Sequence, residues 1–268
     1  MPQWTLLGLL AGKQTASWPL AEGTDGQQGL LGMPRYNPDL CSDDCKACAD
    51  VCPTKAITMR TSAGGGGGKL DVDYGRCVVC QLCTEVCPTG AMSPSSDWAF
   101  GVRSRADLIW AENPVAAPVA GAQTRLPFRR SLHIRHVDAG SCNGCESELQ
   151  ALNNPFYNLH RLGIFFTASP RFADLLLVTG PVTNAMLEPL RATYEAMAEP
   201  RWVVAVGTCA VSGGIAEGGY ASGHGLDGII PVDVYLPGCP PNPAAIIEAL
   251  LMFLDRKPQR VKGGRLVE

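Results

Sequence analysis

The chain contains 12 cysteines in 268 residues, and their spacing indicates metal chemistry. They divide into three groups of four, with none left over. Four thiolates per centre is the number that a cubane iron–sulfur cluster requires. In chain order the groups are Cys41, Cys45, Cys48 and Cys52; Cys77, Cys80, Cys83 and Cys87; and Cys142, Cys145, Cys209 and Cys239.

The first two groups form an internal repeat. The segment that begins at Cys45 (CKACADVCPTKAI) aligns with the segment that begins at Cys80 (CQLCTEVCPTGAM). The run C-x2-C-x2-C-x3-C-P is unbroken in the second copy, whereas the first copy has one more residue after Cys41. In two-cluster ferredoxins the fourth cysteine of each run binds the other cluster. We therefore predict a first cluster set of Cys41, Cys45, Cys48 and Cys87, and a second cluster set of Cys77, Cys80, Cys83 and Cys52.

The last part of the chain alternates predicted strands with predicted helices. Strands are predicted at 132–137, 174–178, 202–206 and 232–236, and helices at 146–152, 185–198 and 244–254. This alternation predicts a parallel sheet with helices on both faces. The predicted fold class is an α+β two-cluster ferredoxin domain followed by an α/β flavodoxin-like domain with a mainly parallel sheet.

The dispersed cysteines, which we call the third cluster set, follow these strands. Ligands of such folds lie beyond the carboxyl ends of the strands, so loops after three strands would bring the four thiolates together. Glycine beside a thiolate lets backbone approach a cluster and donate N–H groups to its sulfurs. We therefore predict cofactor contacts from Gly144, Gly207 and Gly238. Zinc would satisfy the same four thiolates, and it remains the alternative metal.

Glu146 directly follows Cys145 and allows two interpretations. An acidic residue is favoured in the first turn of a helix, where it interacts with the helix dipole. The same carboxylate could also tune a cluster or pass protons to a partner, and on that basis Glu146 is a candidate cofactor-contact residue. His133 and His136 are three apart in a predicted strand and point to opposite faces, so they make a poor metal pair.

Composition excludes several classes of protein. Hydrophobic residues make up 46% of the chain, enough for a core. Charged residues make up 18%, below the roughly 25% usual for soluble domains, which favours a surface covered by partners. The net charge of −3 predicts no nucleic-acid partner. No apolar run approaches the roughly 20 residues that span a bilayer, and no secretory signal is predicted.

Changes in composition divide the chain into four predicted parts. Residues 1–36 are predicted to be an extended N-terminal arm over a partner, with a short helix near its start. Residues 37–112 form the ferredoxin domain, which includes a five-glycine loop at 64–68. An Ala/Pro-rich linker at 113–130 leads to the cluster-binding domain at 131–268.

The motifs together resemble a known family. The segments 141–146 (SCNGCE), 207–214 (GTCAVSGG) and 231–241 (PVDVYLPGCPP) resemble the small subunit of membrane-bound, energy-converting [NiFe] hydrogenases of the formate hydrogenlyase type. The 20 kDa subunit of complex I belongs to the same superfamily. Residues 1–112 resemble the two-cluster ferredoxin subunit of the same complexes. These subunits are ordinarily separate chains, and here they look fused.

The resemblance implies a non-catalytic electron-transfer subunit of an oxidoreductase complex. Three [4Fe–4S] clusters would relay electrons from an upstream iron–sulfur or formate dehydrogenase subunit. The electrons would reach a NiFe centre in a separate large subunit. The chain would sit on the cytoplasmic side of the cell membrane, peripheral through integral membrane subunits. All twelve cysteines are assigned to iron, so this chain would hold no nickel.

Two alternatives stay open. The first is a complex I-like module whose large partner binds quinone instead of NiFe. The complex I subunit has two adjacent cysteines where this chain separates Cys142 and Cys145 by two residues, and this spacing favours the hydrogenase branch. The second is a non-redox scaffold with zinc in these sites.

Overall fold

The computed structural model describes residues 3–12, 17–20, 25–42, 44–60, 70–112 and 131–267. The predicted glycine loop and the predicted Ala/Pro-rich linker lie outside these residues. In the described part the helices are α1 (Gln3–Ala11), α2 (Ala47–Val51), α3 (Leu82–Glu85), α4 (Gly144–Ala151), α5 (Asn184–Glu195), α6 (Thr208–Ser212) and α7 (Pro243–Phe253). The strands are β1 (Arg35–Tyr36), β2 (Ile57–Met59), β3 (Leu70–Val72), β4 (Met92–Ser93), β5 (Leu132–Asp138), β6 (Ile164–Phe166), β7 (Leu175–Thr179), β8 (Trp202–Val206), β9 (Val234–Leu236), β10 (Val261–Lys262) and β11 (Arg265–Leu266).

The N-terminal region is built from two small antiparallel sheets and short helices. Strand β1 pairs with β4, and β2 pairs with β3 so that Ile57 lies opposite Val72. Helices α2 and α3 each carry the third cysteine of one run, namely Cys48 and Cys83. This is the predicted α+β ferredoxin-like arrangement, in which each half of the repeat supplies one helix.

The C-terminal region contains a five-stranded parallel sheet with the order β6-β5-β7-β8-β9. Numbered from its first strand, this order is 2-1-3-4-5, the order of the flavodoxin-like fold. Strands β7 and β8 are buried at every position because helices cover both faces of the sheet. The predicted flavodoxin-like α/β fold is therefore confirmed.

The predicted strands agree with the sheet to within two residues at each end, and β8 agrees at both ends. Strand β6 was not predicted. It has three residues, Ile164–Phe166, and lies at the edge of the sheet. So short an apolar run has no alternation that would distinguish it from a loop or from part of a helix.

The described residues of the predicted arm contact the chain itself. Trp18 is buried, with its ring edge-on to Trp98 at 6.2 Å and to Tyr157 at 6.5 Å between ring centroids. Strand β1 at the end of the arm belongs to the ferredoxin-like region. These residues therefore pack on the chain itself, and contact of the arm with a partner stays a prediction. In contrast, none of the residues of α1 is buried.

The N-terminal and C-terminal regions share a hydrophobic core. The clearest link is at the edge of the parallel sheet, where Val102 exchanges backbone hydrogen bonds with Tyr235 of β9, at N···O distances of 2.9 and 2.8 Å. The pairing covers a strand edge that would otherwise be open. In the described part of the chain, no helix is long and apolar enough to span a membrane.

A C-terminal hairpin, β10 and β11, returns to the ferredoxin-like region. The Gly264 amide donates to the Asp107 carbonyl at 2.7 Å, and the Ala111 amide donates to the Gly263 carbonyl at 3.2 Å. Gly264 has a φ of +66°, and a Cβ there would lie 2.9 Å from the backbone of Trp110 and from the ring of Tyr74. The hairpin can pack this closely because residue 264 is glycine.

Gly264→Ala is therefore expected to destabilise the chain by roughly 2 kcal/mol more than Gly228→Ala, measured as unfolding free energy in denaturant. Gly228 is the matched control because its φ is +72° and nothing lies within 4 Å of an added Cβ. Both variants carry the left-handed backbone penalty of alanine, so their difference reports the close packing of the hairpin. Equal loss in the two variants would show that the hairpin is not packed against Trp110.

Candidate metal centres

None of the twelve cysteines, all of which lie within the described residues, is joined in a disulfide. In the described part of the chain, no three His, Cys, Asp or Glu side chains are gathered tightly enough to hold a single metal ion. A cubane makes a different demand, since it distributes its four thiolates over four separate irons. Whether the cysteines suit such clusters therefore depends on which thiols lie near one another and on what surrounds them.

The first cluster set brings together cysteines from both halves of the repeat. Cys41 ends the 3-10 helix Pro38–Leu40, Cys48 lies in α2 and Cys87 follows α3. Burial, followed by the negative charges of Cys41, Cys87 and Cys45 in that order, raises the pKa of the Cys48 thiol to about 11. The neighbours that act on Cys48 are thus the three other members of the predicted crosswise set.

The second cluster set has the same crosswise composition. Burial raises the pKa of Cys77 to about 12; the Val79 amide lowers it, and the charges of Cys83, Cys52 and Cys80 raise it. A single pocket is lined by all four members of this set, together with apolar residues that include Ile57 and Val72. Cys52, which follows α2, therefore faces the cysteines of the second run, as predicted for two-cluster ferredoxins.

The repeat extends to the groups that stabilise the crossing thiolates. The Ala56 amide donates to the Cys52 Sγ at 3.2 Å, and the Met92 amide donates to the Cys87 Sγ at 3.3 Å. Burial alone would raise the pKa of Cys87, but the Met92 amide and the Thr89 hydroxyl bring it below its ordinary value. An amide aimed at sulfur favours the thiolate, the form that binds metal.

The second run also contains backbone strain that the sequence did not reveal. Val79 and Gln81 lie on either side of Cys80 with φ values of +58° and +64°. The left-handed region is unfavourable for a β-branched residue such as Val79. This strain lies within the ligand loop, where it bends the chain between consecutive cysteines.

The third cluster set lies at the carboxyl end of the parallel sheet. Cys142 and Cys145 follow β5 at the start of α4, Cys209 lies in α6 after β8, and Cys239 follows β9. Burial raises the pKa of Cys145, and the charges of Glu146, Cys209, Cys239 and Cys142 raise it further. Burial likewise raises the pKa of Cys209 to about 11, followed by the charges of Cys239 and Cys142. The three loops therefore place these four thiols near enough to influence one another.

The predicted glycines leave room beside the sulfurs. A Cβ on Gly207 would lie 2.6 Å from the Cys145 Sγ, and one on Gly144 would lie 3.5 Å from the Cys142 Sγ. A side chain at position 207 would thus occupy the space of a candidate ligand. Gly214, in the loop after Cys209, also lies beside a sulfur, since a Cβ there would lie 3.0 Å from the Cys209 Sγ.

The amides of two of these glycines have partners within the protein. The Gly207 amide donates to the Leu236 carbonyl at 2.8 Å, and the Gly238 amide donates to the Thr208 hydroxyl at 3.1 Å. Both N–H groups therefore have hydrogen-bond partners in the protein itself. These two glycines act through their small size and their positive φ values of 88° and 146°.

Glu146 is buried in the first turn of α4, and its carboxylate does not cap the helix. It accepts a hydrogen bond from the Ser141 hydroxyl at 2.5 Å and another from the Thr179 hydroxyl. The His136 Nε2 lies 3.6 Å from the carboxylate. Burial lowers the pKa of His136, although the Glu146 charge opposes that shift. Glu146 is thus held beside the third cluster set by two neutral hydroxyls.

His133 and His136 have separate surroundings, as their spacing predicts. The His133 ring stacks on Phe165 with 5.7 Å between centroids, and its Nδ1 lies 3.6 Å from Asp174. His136 instead lies 3.0 Å from the Thr179 hydroxyl through its Nε2 atom.

Comparison with protein families gives two matches that divide the chain as the cysteines do. Residues 40–91 match a 4Fe-4S dicluster domain. Residues 142–253 match the family described as NADH ubiquinone oxidoreductase, 20 Kd subunit. The first match covers the first and second cluster sets, and the second match covers the third.

Individual relatives are similar to about half of the chain. A probable membrane-bound hydrogenase subunit mbhJ of Pyrococcus furiosus is 44% identical over 134 residues, which cover 50% of this chain and 80% of the relative. Formate hydrogenlyase subunit 7 of Escherichia coli is 43% identical over 50% of this chain, which spans 52% of that relative. A chain of the membrane-bound sulfane sulfur reductase, an archaeal respiratory membrane complex, is 36% identical with a TM-score of 0.43, covering 51% of this chain and 77% of that chain.

Proposed function

Since the chain belongs to the family of the NADH ubiquinone oxidoreductase 20 Kd subunit and carries a 4Fe-4S dicluster domain, we propose that it is the electron-transfer subunit of a hydrogenase-type complex. It would hold three [4Fe–4S] clusters, one in each cluster set. The observation that carries this proposal is that the twelve thiols lie in three groups of four. Within each group the thiols are close enough to influence one another's pKa, which supports one cluster per group. When bound, such clusters supply one-electron transfer.

The second cluster set adjoins both the first and the third. Cys48 of the first set is near enough to Cys83 of the second to raise the pKa of that thiol, after burial and the charges of Cys80 and Cys52. The Cys77 carbonyl of the second set accepts a hydrogen bond from Thr208, the residue before Cys209 of the third. This order, first to second to third, is the order in which an electron would be passed along the chain.

The protein contributes burial at each set, and it contributes amide donation to sulfur at the first and second sets. Cys48, Cys83 and Cys145 are buried, which shields their part of each site from water. Exclusion of water and amide donation to sulfur both tune the reduction potential of an iron–sulfur site.

The proposed partners follow from the family. A large subunit with a NiFe centre would receive electrons from the third set. Protons would be reduced to H2 at that NiFe centre. An upstream iron–sulfur or formate dehydrogenase subunit would deliver electrons to the first. Integral membrane subunits would hold the chain on the cytoplasmic side of the membrane. The fusion would keep the two electron-transfer regions at equal stoichiometry and high effective concentration.

A quinone reductase module is the second candidate, and the family match over residues 142–253 favours it. In that case the large partner would bind quinone at the third set. The two-residue separation of Cys142 and Cys145 favours the hydrogenase assignment instead.

Capture of the complex through this chain under anaerobic conditions distinguishes the two candidates. We expect about one nickel per chain and H2 evolution from a reduced viologen dye. A complex that contains iron, lacks nickel and reduces quinone would contradict the hydrogenase assignment and favour the second candidate.

A further inference from the structure

Thr208 lies where the second and third cluster sets approach each other. Its side chain is 1% exposed. Its hydroxyl donates to the Cys77 carbonyl at 2.8 Å and accepts from the Gly238 amide at 3.1 Å. One buried hydroxyl therefore joins the backbone of the second set to the loop that carries Cys239, while Thr208 itself precedes Cys209.

The backbone of Thr208 strengthens this junction. Its amide donates to the Gly238 carbonyl at 2.9 Å, so Thr208 and Gly238 are connected in both directions. These two hydrogen bonds join the loop of Cys209 to the loop of Cys239. The hydroxyl ties these loops to the ferredoxin-like region.

A second contact lies next to the first. Arg76, the residue before Cys77, forms an ion pair with Glu217, which follows α6, and both side chains are partly buried. The Arg76 Nε also donates to the Thr54 carbonyl at 3.3 Å, which holds the guanidinium against the ferredoxin-like region. Arg76 therefore helps to hold the ferredoxin-like region against the segment after α6, whereas Thr208 contacts the loops that carry the cysteines.

We infer that the Thr208 hydroxyl is a positioning group that fixes the second cluster set relative to the third. This inference rests on the proposed function. In the step concerned, one electron leaves the second set and the same electron reduces the third, with no bond made or broken and no proton transferred. The rate of such a step falls steeply as the separation increases, so a group that fixes the separation governs the rate.

The two hydrogen bonds of the hydroxyl allow a clean substitution series. Thr208→Val keeps the shape but leaves the Cys77 carbonyl and the Gly238 amide without their partner, whereas Thr208→Ser keeps the hydroxyl. Thr193→Val is the matched control, because its hydroxyl donates to the Pro189 carbonyl at 2.7 Å on α5, away from the cluster sets.

The experiment measures iron content and the electron paramagnetic resonance spectrum of the reduced, intact chain for all four proteins. We expect equal iron in each. The splitting that arises from magnetic interaction between the second and third sets should change in Thr208→Val and persist in Thr208→Ser and Thr193→Val. A purely structural role elsewhere in the fold would not change this splitting while leaving iron content intact.

Hydrogen exchange gives a second readout. The Gly238 amide should be protected in the wild-type chain and should exchange about tenfold faster in Thr208→Val, the factor expected for loss of one hydrogen bond. If Thr208→Val fails to fold, the wild-type measurement decides, since exchange of Gly238 at the rate of an exposed loop amide would overturn the inference.

A Thr208→Val spectrum identical to wild type, with full iron, would also overturn the inference and leave the proposed function standing. Absence of iron from the wild-type chain would overturn both.

Discussion

In the Cys209→Ser variant, iron is expected to fall from about twelve to about eight atoms per chain, and hydrogen turnover by the complex should be abolished. Cys209 lies in α6 and is half-buried among Cys145, Cys142 and Cys239. Serine presents a weakly acidic hydroxyl in place of a thiolate, so the third cluster set loses one of its four ligands. Electrons could then reach the second set and go no further.

The spectra of the first and second cluster sets should survive in this variant, because their eight cysteines come from the ferredoxin-like region. Ala210→Ser is a suitable control, since it places a hydroxyl on the next residue of α6, which is 1% exposed, without removing a thiol. It should cost stability but keep full iron. Unchanged hydrogen turnover in Cys209→Ser would refute an electron route through the third set.

A second large effect is expected from the crosswise assignment, in which the last cysteine of each run belongs to the cluster set of the other run. Cys52→Ser should give the same spectrum as Cys83→Ser, because both residues belong to the second cluster set. Cys87→Ser should in turn match Cys48→Ser, because both belong to the first. Each single substitution should remove about four irons per chain. The measurement is iron content together with the paramagnetic spectrum of the set that remains.

A sequential assignment makes the opposite pairing. In that case Cys52→Ser would resemble Cys48→Ser, since both residues lie in the first run. The structure favours the crosswise result because the Cys52 thiol lines the same pocket as Cys77, Cys80 and Cys83. Cys52→Ser and Cys48→Ser with identical residual spectra would contradict the crosswise sets.

The sequence predicted the features that arise from local patterns. Strand β8 was located at both ends because five consecutive apolar residues lie in the centre of the sheet. The three groups of thiols were predicted from spacing in the repeat and from the rule that loops after parallel strands converge. Both kinds of information are contained in short stretches of sequence.

Contacts between distant segments were not predictable in this way. The pairing of Val102 with Tyr235 joins residues 133 positions apart. The hydrogen bond from the Thr208 hydroxyl to the Cys77 carbonyl joins residues 131 positions apart. Trp18 looked like part of an arm over a partner because nothing near it in sequence indicates Trp98 and Tyr157 as neighbours. Such contacts depend on how the two regions pack, which neither region's local pattern specifies.

Glu146 shows the same limit within the site. Its place after Cys145 predicted the first turn of a helix, and α4 does begin at Gly144. Its burial against Ser141 and Thr179 depends on β7 lying beside β5, which is a property of the sheet. The position of this carboxylate could therefore be predicted, and its partners could not.

The central claim is that each of the three cluster sets holds a [4Fe–4S] cluster. Its most direct test is quantification of iron, acid-labile sulfide and zinc in the intact chain purified without oxygen. About twelve irons and about twelve sulfides per chain, with little zinc, is the predicted result. About three zinc ions per chain without sulfide would contradict the claim and identify the cysteines as a zinc scaffold.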